Sequence, residues 1–408
     1  MFQISPSIPG SNVGAAGCAW VGARVKMVKS TRMTTASQRE RSRRGPFITT
    51  EKIKSYLEAV LDDGFAGCQD RPVGAVHSDR HRVLLAHFRL RSGDATEHDR
   101  DALRDAAVLD AQRTIRLRQI TDQFACKNIR CLILKGAAFS ALAYPAPHLR
   151  PRNDDDVWVR QTDFAVACDV LAAAGYEAQV EVTSSEITRQ RHFVARGHFL
   201  AHEVDLHWWP VNPSAFDALP SFDECFARSE SLDAIGRNAR APGPVHALLL
   251  ACAHRVAHHT ETEDAMWHCD LYFLAQRLAA AEWAEFESLA RRAKIARVSG
   301  VALQYVVTRL GTDVPHDVID RLTRVDGEPS SRYLRPLGPL RDFWLELTAR
   351  RSVLARLRFV AHHLLPPRHY VAARYRYNGV VLLPLFYAHR AISGFAHWTA
   401  EFVARLAR

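Results

Sequence analysis

Apolar positions recur at helical spacing in "EKIKSYLEAVL" (residues 51–61), in "RVLLAHFRL" (82–90) and over Asp101 to Ala125, which predicts two short amphipathic helices and one long one. The texture then changes. "CLIL" (131–134) reads as a brief buried strand, Gly136 opens a short Ala-rich helix through Ala143, and Pro145 and Pro147 end it. "DVWV" (156–159) is a second strand, "TDFAVACDVLAAAGY" (162–176) a helix stopped by Gly175, and "EAQVEV" (177–182) a third strand. Two more strands are expected at His192 to Ala195 and His198 to His207. Beyond Pro213 the pattern is mostly helical, clearest in "PVHALLLACAHRVAHH" (244–259) and "MWHCDLYFLAQRLAAA" (266–281). The expectation is an α+β chain in which a small mixed β-sheet core with flanking helices (98–212) follows an N-terminal helical segment (47–97) and precedes a helical C-terminal region (213–408). Residues 1–46, rich in Ser, Thr, Gly and Arg with no sustained period, read as a disordered basic tail.

Charge sharpens this division. Of the net +10, residues 1–50 carry +7 and residues 351–408 carry +8, so the 300 residues between them are at −5. The basicity belongs to the ends, and nucleic acid is not the favoured partner of the centre. The Arg-rich C-terminus mixes basic and aromatic residues in a way that suits RNA, acidic lipid or an acidic partner, but the expectation is that its Leu, Phe and Tyr pack on the core while the arginines stay wet. The apolar run Val380 to Ala388 contains Pro384 and is far shorter than the roughly 20 residues of a membrane span. Near the N-terminus the basic residues follow the apolar patch, which argues against a secretory leader. Eight cysteines without a Cys-x-x-Cys pair read as reduced interior thiols, and a cytoplasmic location is the default.

The chemistry concentrates in "LKGAAFSALAYPAPHLRPRNDDDVWV" (134–159). Successive strand side chains point to opposite faces, so Asp154 and Asp156 share one face and Asp155 takes the other. Two carboxylates on one face are costly unless a divalent cation neutralises them. Asp205, flanked by apolar residues in "EVDLHW", is the third candidate, placed in a sheet beside the pair. Three such carboxylates can hold two Mg²⁺ (or Mn²⁺) ions for nucleotidyl transfer. The strand, Gly136 and helix turn offers N–H groups to phosphates, and Lys135 and Arg150 can add positive charge there.

On these residues the chain resembles the uncharacterised nucleotidyltransferase family of the DNA polymerase β superfamily. The resemblance rests on "ILKGAAFSALAYP", Arg150-Pro151, the "NDDDVWV" strand and Asp205, and extends over about residues 98–395 through His254, His258, Cys269, Asp270 and "LLPPRHYVAARY". It implies a polymerase β-like core and transfer of a nucleoside monophosphate from a nucleoside triphosphate, ATP in the first instance, to an unidentified hydroxyl with release of pyrophosphate. Asp154, Asp156 and Asp205 would be the catalytic metal ligands, with Lys135, Gly136 and Arg150 at the nucleotide. Two positions depart from the family pattern: Ala137 follows the turn glycine, and Asp155 stands where a hydrophobic residue is usual. Buried alone, Asp155 would cost several kcal/mol, so it must reach solvent or pair with a base such as Arg152 or Arg160. The competing reading, motivated by Asp155 and by the absence of any recognisable acceptor domain, is a catalytically inactive nucleotide-binding or interaction protein of the same fold.

Other candidates have plainer readings. His254 and His258, four apart on a helix, can share a Zn²⁺ or line the cleft, but with no third ligand nearby they read first as packed histidines. Asp270 reads as a buried hydrogen-bonding residue before a cleft residue. His198, His202 and His207 flank Asp205; one of them can assist proton removal, but exposed strand histidines are the simpler expectation.

Overall fold

The computed structural model of the chain describes residues 47–62, 80–179, 188–197, 201–257, 264–335, 339–350, 352–377 and 379–406. The basic tail expected at 1–46, together with His198 and His258, lies outside these residues. Among the described residues three helices come first: α1 (Phe47–Asp62), α2 (Arg80–Ser92) and α3 (Glu97–Cys126). The last starts four residues earlier than its apolar period suggests, because Thr96 and Asp99 close a capping box on its first turn.

The sheet contains β1 (Cys131–Leu134), β2 (Asp154–Val159), β3 (Glu177–Ala178), β4 (Gln190–Ala195) and β5 (His202–His207), with α4 (Lys135–Leu142) after β1 and α5 (Phe164–Ala173) after β2. Its order is β1-β2-β5-β4-β3. Only the central β2–β5 pair is parallel; the other three pairs are antiparallel. The fold is thus the mixed sheet expected, with β2 two residues longer at its start than "DVWV". The stretch that lengthens it is the acidic one, which the apolar pattern could not include in a buried strand.

Beyond the sheet come α6 (Phe222–Ala227), a short hairpin β6 (Glu230–Ser231) and β7 (Arg240–Ala241), then α7 (Pro244–Ala257), α8 (Ala265–Ala275), α9 (Glu282–Arg292), α10 (Ala296–Leu310) and α11 (His316–Thr323). The chain ends with α12 (Pro339–Ala349), α13 (Val353–Leu364), α14 (Arg368–Tyr375) and α15 (Leu383–Leu406). The hairpin interrupts a region otherwise as helical as expected. α7, α8 and α10 pack on one another, and α10 also packs on α1, so the N-terminal helices join the helical part. Tyr56 on α1 and His268 on α8 share a hydrogen bond of 2.6 Å. Cys131, Cys168, Cys225, Cys252 and Cys269 are buried free thiols, while Cys126 is exposed, which corrects its reading as an interior residue. No helix among the described residues is long and apolar enough to cross a membrane.

The C-terminal expectation needs correction. Tyr370, Val371 and Leu383 form a small cluster of their own, but many aliphatic side chains around them are exposed, among them Leu354, Leu357 and Leu385.

One buried ion pair fastens the sheet's loops to the helical part. Arg150 donates from Nε and Nη2 to Asp270 of α8 at 3.0 and 2.7 Å, and Tyr144 Oη donates to the same carboxylate at 2.7 Å. Burial works against ionisation of the guanidinium, but the Asp270 charge outweighs it and raises the Arg150 pKa. Removing one partner strands the other in the interior, whereas an exposed pair such as Arg160–Asp223 is screened by water. Asp270→Ala should therefore lower the unfolding free energy by about 3–5 kcal/mol, and Asp223→Ala by less than about 1 kcal/mol. Urea titration of both variants checks this, and equal losses would refute it.

Candidate functional site

The parallel register decides what meets on the open face of the sheet. Asp156 lies opposite Asp205, Asp154 opposite Glu203, and Trp158 opposite His207. Side chains two apart on a strand share a face, so Asp154, Asp156, Glu203, Asp205 and His207 come together. Trp158, two residues beyond Asp156, is fully buried and packs edge-on against Trp209 and Phe222. β4 adds Gln190 and His192 from the other side of β5.

The closest set is Asp156, Asp205 and His207, whose potential ligand atoms lie within 4.8 Å of one another. Asp156 Oδ1 accepts hydrogen bonds from Lys135 Nζ at 2.7 Å and from His207 Nε2 at 2.8 Å. Burial opposes its ionisation, but the Lys135 charge and the His207 contact outweigh it and hold the Asp156 carboxyl well below the usual range. Asp205 is held on both oxygens, by His192 Nδ1 at 2.7 Å and by Gln190 Nε2 at 2.9 Å. That bond to Asp205 raises the His192 pKa against the opposing effect of burial. Asp154 stands just outside the closest set. Burial, then the charges of Asp156 and Asp205, push its carboxyl up to about 6.

This donor set fits a divalent cation. Carboxylates gather where charge is already in excess, and His207, fully buried, keeps an Nδ1 with no hydrogen-bond partner among the described residues. His207 and His202 are both buried, which corrects the expectation of exposed strand histidines. The signal for His207 was present in the alternation of "DLH", which puts it on the face of Asp205. Nothing local marked Gln190 or His192, because a neighbouring strand delivers them.

Asp155 points the other way and is fully buried. Its Oδ1 accepts from Arg152 Nε at 2.6 Å and its Oδ2 pairs with His202 Nε2 at 2.9 Å. Tyr176 Oη lies 2.8 Å from the other nitrogen of His202, and Arg152 also bonds Asp110 of α3. Burial opposes ionisation here too, and Arg152 and His202 overcome it, lowering the Asp155 pKa. Of the two bases anticipated, Arg152 takes the role, and Arg160 binds Asp223 instead.

The turn after β1 brings Lys135 to the site with φ at 45°, a left-handed conformation that costs a non-glycine residue about 1 kcal/mol. Gly136 is required by close approach: a Cβ there would lie 2.9 Å from Arg150 Nη1 and 3.1 Å from Arg152 Cβ. Arg150, expected at the phosphates, is committed to Asp270 and lies under this turn. Asp270 is buried behind it rather than in the cleft. His254 is half-buried, edge-on to Trp267, and shares a narrow pocket with Lys135, Leu134, Phe139 and Pro210.

Residues 87–311, more than half of the chain, match the family described as an uncharacterised nucleotidyltransferase. No curated protein shows a significant match to the chain. The match ends before α12, so the C-terminal segments that resembled the family's ending lie outside it.

The raised Asp154 pKa has a defined sign. The folded value of about 6 exceeds the unfolded value of about 3.9, so the folded state holds this proton more tightly. The contribution to stability is most favourable below about pH 4 and falls as pH rises to about 6. Without metal, Asp154→Asn should match the parent near pH 4 and exceed it by roughly 1–3 kcal/mol at neutral pH. Urea unfolding in chelator measures both, and a variant no more stable than the parent at neutral pH would contradict the geometry.

Proposed function

The chain belongs to this uncharacterised nucleotidyltransferase family, and from that premise we propose that it transfers a nucleoside monophosphate from a nucleoside triphosphate, ATP in the first instance, to a hydroxyl acceptor. The observation that carries the reading is the pairing of Asp156 with Asp205 on parallel strands beside a buried imidazole. Asp154, Asp156 and Asp205 are the ligands, and bound divalent cations would neutralise the triphosphate and lower the pKa of the acceptor hydroxyl.

The remaining roles belong to the chain itself. Asp205, oriented by His192 and Gln190, takes up the acceptor proton. Lys135, held at the mouth of the turn, exchanges its contact with Asp156 for the β- and γ-phosphates. The first N–H groups of α4, beginning at the Gly136 turn, support the same phosphates. Arg150 acts from beneath, holding that turn to α8 through Asp270. His254, in the pocket beside Lys135, lines the nucleotide cleft. A cytoplasmic setting fits a chain that uses nucleoside triphosphates and carries buried free thiols.

The non-catalytic reading rested on Asp155 standing between the metal ligands and on the absence of a recognisable acceptor domain. The pairing of Asp155 with Arg152 and His202 on the far face answers the first of these, since no unpaired charge is pressed into the site.

Labelled nucleoside triphosphates, supplied singly with Mg²⁺ or Mn²⁺ and a cell extract as acceptor source, test the proposal. Transfer of label with release of pyrophosphate is expected, and Asp156→Asn should reduce it at least about 100-fold, a loss of about 3 kcal/mol of transition-state stabilisation. An Asp156→Asn protein with undiminished transfer would sink the assignment.

A further inference from the structure

The segment beyond α12 carries an unusual surface. On α13, Val353, Leu354, Leu357 and Leu364 are 71, 58, 61 and 56% exposed, and their spacing places them along one side of the helix. The inward side of the same helix is already satisfied, because Phe359 is buried and stacks on Phe343. α13 therefore presents a second apolar stripe that nothing among the described residues covers.

α15 repeats the pattern with Leu385 and Ile392, seven apart and both exposed. The two helices are tied at their ends, where Tyr387 Oη donates to the Pro366 carbonyl at 2.7 Å and Arg390 donates to that of His363. Isolated exposed leucines are ordinary, but a concentration of them on neighbouring helices marks a contact surface.

Charge identifies the partner. No Asp or Glu occurs between Glu346 and Glu401, and residues 351–408 carry nine arginines. Arg356 and Arg358 are exposed on either side of the α13 stripe. A second copy would bring two faces of the same +8 charge together. RNA would engage the arginines and leave the aliphatic stripe in water. A sheet of acidic headgroups over acyl chains satisfies both, with the leucines entering the boundary and the arginines remaining among the phosphates. With no helix among the described residues able to cross a bilayer, the contact is one of lying on the surface.

We propose that α13 and α15 form a docking face for anionic membrane surfaces. The surface lies outside the matched family region and does not depend on the catalytic reading.

Flotation of the full chain tests it, using phosphatidylcholine vesicles with and without about one-third phosphatidylserine. Binding only to the anionic vesicles is expected. Leu354→Ser with Leu357→Ser, and separately Arg356→Gln with Arg358→Gln, should each weaken it at least about tenfold while the melting temperature stays at the parent value. The arginine pair keeps the test valid should the serine variant unfold. The proposal is overturned by no binding to anionic vesicles, by anionic binding that survives both double variants, or by concentration-dependent dimers that the serine variant disperses. Tighter binding to a single-stranded RNA oligonucleotide than to anionic vesicles would also overturn it in favour of an RNA surface.

Discussion

Two carboxylates facing each other across adjacent strands repel unless positive charge is returned to them, and the structure around the sheet is organised by that requirement. Asp156 and Asp205 are opposite by register, and Lys135, His207 and His192 each supply a hydrogen bond to one of them. These three basic groups come from a turn, from β5 and from β4. The charge balance of the site thus depends on β1, β2, β4 and β5 being in place at once.

Asp155 serves the same end from the opposite face. A slip of one residue in β2 would turn Asp155 into the site and drive Asp154 and Asp156 into the interior. With Arg152, Asp110, His202 and Tyr176 fitted to Asp155, such a slip would bury unpaired charge on both faces. The odd carboxylate is therefore a register pin, and its cost is met by α3 and β5. The Arg150–Asp270 pair extends the same logic to the turn at Gly136, where a Cβ would press to 2.9 Å of the Arg150 Nη1 that Asp270 holds in place.

Seen this way, acidic and basic groups divide the molecule into two surfaces with separate chemistry. The sheet face gathers carboxylates and returns just enough positive charge to hold them. Over residues 347–400 the C-terminal helices do the reverse, setting exposed aliphatic side chains beside arginines with no acid between them.

The amino-acid sequence alone determined much of the architecture and the identity of the acidic residues. Helical periods, the apolar "CLIL" and "VWV" runs and the turn residues are local signals, because they reflect one element burying one face. Alternation along β2 likewise separated Asp155 from Asp154 and Asp156. Only the tertiary structure decided which groups answer those charges. His192 and Gln190 reach Asp205 through strand pairing, Asp110 reaches Arg152 over 42 residues, and Asp270 reaches Arg150 over 120. Arg150 read as a phosphate ligand and the C-terminal leucines as core for the same reason: a side chain's partner is set by what folds against it, and no local pattern records that distance.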